Sequence, residues 1–224
     1  MVHGPIAVGD LLALAQARRR PGCVAILDGY FERMAAVWHK EILLALERGV
    51  AVWGASSMGA LRAAELAPWG MVGVGQIYQA FVRGQLSADD EVAVAHLSAE
   101  HGYRPTSDAL VNLRDGLARA VRAGVLSRRA ADTLVASAQA RPYRERSWPQ
   151  LLTDGAALGV PARARARLTR WLAAARPDRK AADARLLLRR LATHGWQRPA
   201  AIAVPRTWAL AQLQRLLAEG ALAR

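Results

Sequence analysis

Two short apolar runs dominate the first half of the chain. Cys23-Val24-Ala25-Ile26-Leu27 and Val50-Ala51-Val52-Trp53 are nearly continuous in apolar side chains, and turn residues close each: Asp28-Gly29 after the first, Gly54 after the second. Unbroken apolarity over so short a length is the pattern of a strand buried on both faces. Between the runs, Val37, Ile42, Leu44, Ala45 and Leu46 recur at helical spacing from Val37 to Arg48, and Gly49 supplies the stop. After the second run, Ala55-Ser56-Ser57-Met58-Gly59 leads into a helix from about Ala60 to Leu66 that Pro68 ends. Strand, helix, strand, turn, helix is a βαβα unit, which requires parallel strands and a right-handed crossover.

Further on, helices dominate. Met71-Val72-Gly73-Val74-Gly75 offers backbone freedom but lacks the glycine spacing of a dinucleotide-binding loop. Asp89-Asp90-Glu91 before Val92 to His96 reads either as a turn into an alternating strand or as the acidic first turn of a helix. Helices are predicted over Asp108 to Ala123, stopped by Gly124, and over Arg128 to Ala140, capped by Ser127. Beyond residue 150 the pattern is Ala/Leu/Arg helices: Ala162 to Ala175, Asp178 to His194, and one opening near Pro205 and Thr207. The last aligns Leu210, Leu213 and Leu217 and ends before Gly220. The expected fold is therefore α/β, a parallel-sheet βαβα core over residues 1–150 followed by a mainly helical, Arg-rich C-terminal region over 151–224.

Composition narrows the classes. With 224 residues the chain suits one sizeable domain or one domain with a small appendage. No apolar run approaches the roughly 18–20 residues of a membrane-spanning helix, and Met1-Val2-His3-Gly4-Pro5 does not open a secretory signal. A lone cysteine, Cys23, forms no internal disulfide and fits a cytoplasmic protein; at the head of a buried run it reads as a small hydrophobe rather than a persulfide carrier. The formal net charge of +13 is concentrated: residues 151–224 hold 14 basic against 4 acidic residues. Nothing beyond charge favours nucleic acid as the partner, and the same arginines suit a solvated helix face or an acidic protein surface. Against 29 arginines stand two lysines, Lys40 and Lys180, and a Lys retained in such a chain suggests work that Arg cannot do.

Candidate chemistry gathers where the strands end, because parallel sheets bind ligands beyond their carboxyl edges. Asp28 lies at the end of the first run, Ser56 and Ser57 at the end of the second. Ala55-x-Ser57-x-Gly59 between strand and helix resembles a nucleophile elbow, with Ala in place of the first Gly. Amides at the new helix start can stabilise an oxyanion there. The alternative is that either serine caps the helix or that the turn cradles an anion without reacting. His39-Lys40-Glu41 offers two bases, so Asp28, His39 and Ser57 hold the residue types of a Ser–His–Asp triad, and Ser57 with Lys40 those of a Ser–Lys pair. The plainer alternative is a charged helix face with Lys40 paired to Glu41 or Glu47. Asp89-Asp90-Glu91 with His96 lacks the ligand spacing of a metal site, so no metal and no cofactor are expected.

Several stretches taken together resemble the TfuA family. They are Asp28-Gly29-Tyr30-Phe31-Glu32, Val37-Trp38-His39-Lys40-Glu41-Ile42-Leu43 and the run from Gly54 through Ser56, Ser57, Gly59 and Arg62 to Leu66. Gly70 to Gly75, Asp89 to Val94 and Val111-Asn112-Leu113-Arg114 come next in order. The resemblance spans roughly residues 6 to 150; Met34-Ala35-Ala36 lacks the Pro expected before the Val-Trp-His-Lys-Glu motif, and the amino-terminal lead-in is short. It implies a partner of YcaO-type cyclodehydratases in backbone thioamidation of ribosomal peptides, which releases sulfide by hydrolysing the thiocarboxylate of a ubiquitin-like sulfur carrier. On that expectation Ser57 is the nucleophile with Ser56 behind it, His39 or Lys40 shuttles protons, and Arg62 draws in the anionic thiocarboxylate, with Gly54, Gly59 and Glu41 lining the site. The basic tail is expected to meet the precursor peptide, the YcaO enzyme or the carrier. A non-catalytic adaptor that docks carrier and peptide onto the YcaO enzyme is the alternative.

Overall fold

The apolar runs form strands in the computed structural model, which describes residues 1–30, 36–175 and 177–219; Phe31, Glu32, Met34, Ala35 and Gly220, which belong to the sequence motifs, lie outside them. Helix α1 (Asp10–Gln16) precedes β1 (Cys23–Ile26), α2 (His39–Glu47), β2 (Ala51–Gly54), α3 (Met58–Leu66), β3 (Val72–Gly73) and α4 (Gln76–Val82). Then come α5 (Leu110–Arg122), α6 (Arg128–Gln139), α7 (Trp148–Ala157), α8 (Ala162–Ala175), α9 (Arg179–His194) and α10 (Trp208–Ala218). The sheet is parallel in the order β1-β2-β3, with Cys23 opposite Ala51 and Trp53 opposite Val72. This is an α/β fold with a helical C-terminal region, and the predicted βαβα unit is β1-α2-β2-α3. Its boundaries obey local chemistry: Gly49, at φ +80°, ends α2 where a side chain would be strained. The glycine-rich stretch after α3 contributes a two-residue third strand that its composition did not announce.

The chain forms two compact units, Met1–Leu86 with Ala181–Arg224, and Ser87–Lys180. Residue 150, the expected boundary, falls inside α7, and the basic region divides at Lys180. In the first unit the sheet is covered on both faces. Ile26 and Val52 pack with Ile42, Leu46 and Leu61 of α2 and α3, while Ala25, Leu27, Trp53 and Ala55, alternating with them, pack against Leu187 and Leu191 of α9. Val204, Leu210 and Leu213 complete the α2–α3 side of the core. Asp183, also on α9 and buried, accepts from the Ile77 amide at 2.8 Å and fills the space a Cβ at Gly75 would need. Thus half of the basic tail belongs to the core of the α/β unit.

The second unit is helical, packed around Leu110, Leu113, Leu117, Leu134, Leu151 and Leu168. Asp89–Glu91 forms a single 3-10 turn, the turn alternative, and Val92 to Ala95 do not continue it as a strand. The carboxylates of this turn are structural: Glu91 takes two bonds from Arg114 (3.1 and 2.8 Å), and buried Arg146 bonds both the carbonyl and the carboxylate of Asp90 (2.8 and 2.6 Å). Asn112 accepts from the Lys180 amide and donates to Asp178, fixing the start of α9. No helix is long and apolar enough to cross a membrane among the described residues.

Candidate active site at the strand–turn–helix junction

The turn from β2 into α3 is tight because two glycines permit it. A Cβ on Gly54 would collide with the Gly59 carbonyl oxygen, and one on Gly59 with the Ile26 carbonyl oxygen, so the first turn of α3 lies directly on the strand ends. The Ala55 amide donates to Ile26 (3.1 Å) and the Ser57 amide to Leu27 (3.2 Å), which binds the turn to the end of β1. Asp28 is the next residue after Leu27, so it borders the turn. Its carboxylate is exposed and accepts from the Gly29 amide at 2.9 Å. Among the described residues the strand order shows no reversal, so neighbouring strand ends, not a crevice between diverging strands, bring Asp28 and the serines together.

The two serines differ. Ser57 is the N-cap of α3, its carbonyl accepting from Ala60 (2.9 Å) and Leu61 (3.3 Å). Ser56 has φ +74°, a left-handed conformation that costs a non-glycine residue on the order of 1–3 kcal/mol and persists only where its surroundings impose it. Both side chains are buried, each 5% exposed. Among the described residues no hydrogen bond engages the Ser56 side chain or the Met58 and Gly59 amides at the start of α3. A strained serine next to two unengaged helix-start amides has the parts of a nucleophile and an oxyanion site. The elbow motif reads on Ser57 from spacing, and the left-handed backbone lies one residue earlier, at Ser56, two residues after Gly54.

The neighbouring polar residues are not joined as a simple triad. His39 Nε2 lies 2.8 Å from Glu65 Oε2, so the imidazole is paired with a carboxylate of α3 and not with Asp28. Arg62 donates to the same Glu65 oxygen (2.7 Å) and to the Val37 carbonyl (3.1 Å), which ties the start of α2 to α3. Lys40 pairs with neither carboxylate considered for it. Glu47 bonds Arg206 (2.7 Å) and the Val204 amide (2.9 Å), and Glu41 is fully buried. Glu41 accepts from Gly9 (2.8 Å), Leu12 (3.2 Å) and Trp38 (3.0 Å), so it anchors α1 and caps α2. Burial pushes its carboxyl up to about 7, against the pull of those three amides. Burial likewise raises the Cys23 thiol to about 11, the value of an unreactive cysteine.

Sequence reasoning missed Glu65 and Asp183. Glu65 stood inside a quoted motif, but 26 residues from His39, and only the packing of α2 on α3 joins them. Asp183 did leave a signal: it is an acid in a basic helix, in line with Leu187 and Leu191 at four-residue spacing.

Comparison with known proteins agrees with these motifs. A family model described as TfuA-like protein matches residues 28–147, which include the turn, α2, α3 and the Asp89–Glu91 turn. No curated protein matches the chain.

Proposed function

Because the chain belongs to the TfuA-like family, we propose that it works beside a YcaO-type cyclodehydratase in peptide-backbone thioamidation, releasing sulfide hydrolytically from the thiocarboxylate of a small ubiquitin-like carrier. The observation that carries this proposal is Ser56, strained at φ +74° beside the amides of Met58 and Gly59. Ser56 Oγ attacks the thiocarboxylate carbon, and the oxyanion of the tetrahedral intermediate lies against those amides. The carbon–sulfur bond then breaks, and the proton lost by Ser56 leaves with the sulfur. Water cleaves the resulting ester, so one thiocarboxylate and one water give one carboxylate and one hydrogen sulfide. Asp28, bordering the turn, and His39, held by Glu65, are the proton carriers. Lys40 supplies the cation for the anionic terminus, a role first assigned to Arg62, whose guanidinium is committed to Val37 and Glu65.

The decisive experiment is sulfide release from a purified thiocarboxylated carrier by this protein alone, without ATP or the YcaO enzyme. Ser56→Ala is expected to lower the rate by on the order of 10²-fold or more, Ser57→Ala by far less. Equal loss in both variants assigns the turn to binding, with water activated by Asp28 or His39. No release by the wild-type protein, with carrier binding intact, leaves the adaptor role.

A further inference from the structure

His39 belongs to a ring of hydrogen bonds that begins and ends at the start of α2. Its Nε2 lies 2.8 Å from Glu65 Oε2, and the same oxygen accepts from Arg62 Nη1 at 2.7 Å. Arg62 Nε then donates to the carbonyl of Val37, two residues before His39, at 3.1 Å. The three side chains thus fix one another across α2 and α3. Donor counting decides where the imidazole keeps its proton. A guanidinium has only donors to offer and a carboxylate only acceptors. Nε2 could accept from Arg62 Nη1 only across 3.5 Å, beyond the range of a good bond, whereas its 2.8 Å contact with Glu65 demands a proton on Nε2. The neutral ring is therefore protonated at Nε2, and Nδ1 is its basic nitrogen. Among the described residues no hydrogen bond engages Nδ1, and the His39 side chain is 46% exposed.

We propose that Glu65, clamped by Arg62, is a positioning residue that fixes this tautomer and presents His39 Nδ1 as the nitrogen that carries the proton. The orienting role that residue types alone gave to Asp28 then falls to Glu65, an acid from the helix that the serine turn starts. This inference rests on the hydrolase reading and deepens it. The proton that leaves Ser56 as its Oγ attacks is taken at Nδ1, and the same proton passes from Nδ1 to the departing sulfur. The ring is neutral before and after the step, and while it carries the charge Glu65 lies against Nε2–H. Arg62 serves two acceptors on different elements from one rigid plane, Nε on Val37 and Nη1 on Glu65, which a lysine ammonium does not reproduce.

Two readouts on the full chain test this. Heteronuclear NMR looks for a hydrogen-bonded N–H on His39 Nε2, and sulfide release from a thiocarboxylated carrier gives kcat and KM. The N–H resonance is expected in the wild type and in Glu65→Gln, whose amide oxygen still accepts, and is expected to vanish in Glu65→Ala. Glu65→Ala should lower kcat at least about tenfold with KM changed less than about twofold, and Glu65→Gln, which keeps the bond without the charge, should fall between. His39→Ala and His39→Ala/Glu65→Ala should be equally slow, because Glu65 acts only through the ring. A double variant slower than His39→Ala by the full Glu65→Ala factor, or a Glu65→Ala effect confined to KM, overturns the proposal. Thermal melts of the variants separate lost positioning from lost folding. Sulfide release by a wild-type protein without the Nε2–H resonance sinks the positioning role alone; the resonance without any sulfide release removes the hydrolase reading and, with it, the catalytic use of the pair.

Discussion

The two faces of the three-stranded sheet are covered by parts of the chain with different histories. On one face lie α2 and α3, written between and after the strands themselves; on the other lies α9, more than a hundred residues further along. Local pattern announces the first cover, since a strand followed by an amphipathic helix and a parallel strand has one right-handed solution. It is silent about the second. The continuous apolarity of Val24 to Leu27 required two covers but named only one. The difference shows how a basic segment with the composition of an appendage can be a structural layer: Arg185, Arg189 and Arg190 are exposed while Asp183, Leu187 and Leu191 face in.

The harshest way to break the comparison is to remove the second cover. A chain ending at Lys180 loses α9, α10 and the core residues Val204, Leu210 and Leu213. It is expected to lack a cooperative thermal transition for the α/β unit, monitored by circular dichroism; a sharp transition near that of the full chain would show that α9 is an appendage after all. A finer cut compares single side chains. Leu187→Ala and Ile42→Ala each empty a fully buried site on opposite faces, and each is expected to cost about 2–5 kcal/mol in urea denaturation. A loss below about 1 kcal/mol at Leu187, with a full loss at Ile42, would make the second face a loose cover.

The smallest effect concerns pH on the α2 side. Glu41 is raised in the folded state to about 7 from an ordinary 4.5, chiefly by burial. The folded chain therefore holds this proton more tightly than the unfolded one. The resulting stability is fully present below about 4.5 and is lost as pH rises through about 7. Melting temperature should decline by a few degrees between about pH 5 and 8 from this group, and Glu41→Gln should flatten that decline while lowering stability at about pH 5 by disturbing one of its three amide contacts. An unchanged slope in the variant would assign the pH dependence elsewhere.

Much of the site was legible because its signals are local. The turn after β2 reads from Gly54, two serines and Gly59 next to an apolar run, and the structure places all four at one junction. Which serine carries the strain was not legible, because spacing cannot report a φ of +74°; that depends on how closely α3 must lie on Ile26 and Gly54. Nor could sequence assign Glu41 and Glu65. Both are acids near a promising histidine, yet one is buried under α1 and the other reaches the imidazole from a neighbouring helix. Glu41, expected from sequence to line the site, holds the start of α2 in place through the Trp38 amide.

What the amino-acid order determined by itself was the parallel βαβα unit, the serine turn at its carboxyl edge and the family those motifs belong to, all consequences of contacts within a few turns of chain. What only the tertiary structure decided was the partnership of distant residues: His39 with Glu65, Gly75 with Asp183, the sheet with α9. Periodicity says which face of an element is apolar and not what will cover it. That choice is made by the packing of the whole chain, where burial of every apolar face must be satisfied at once.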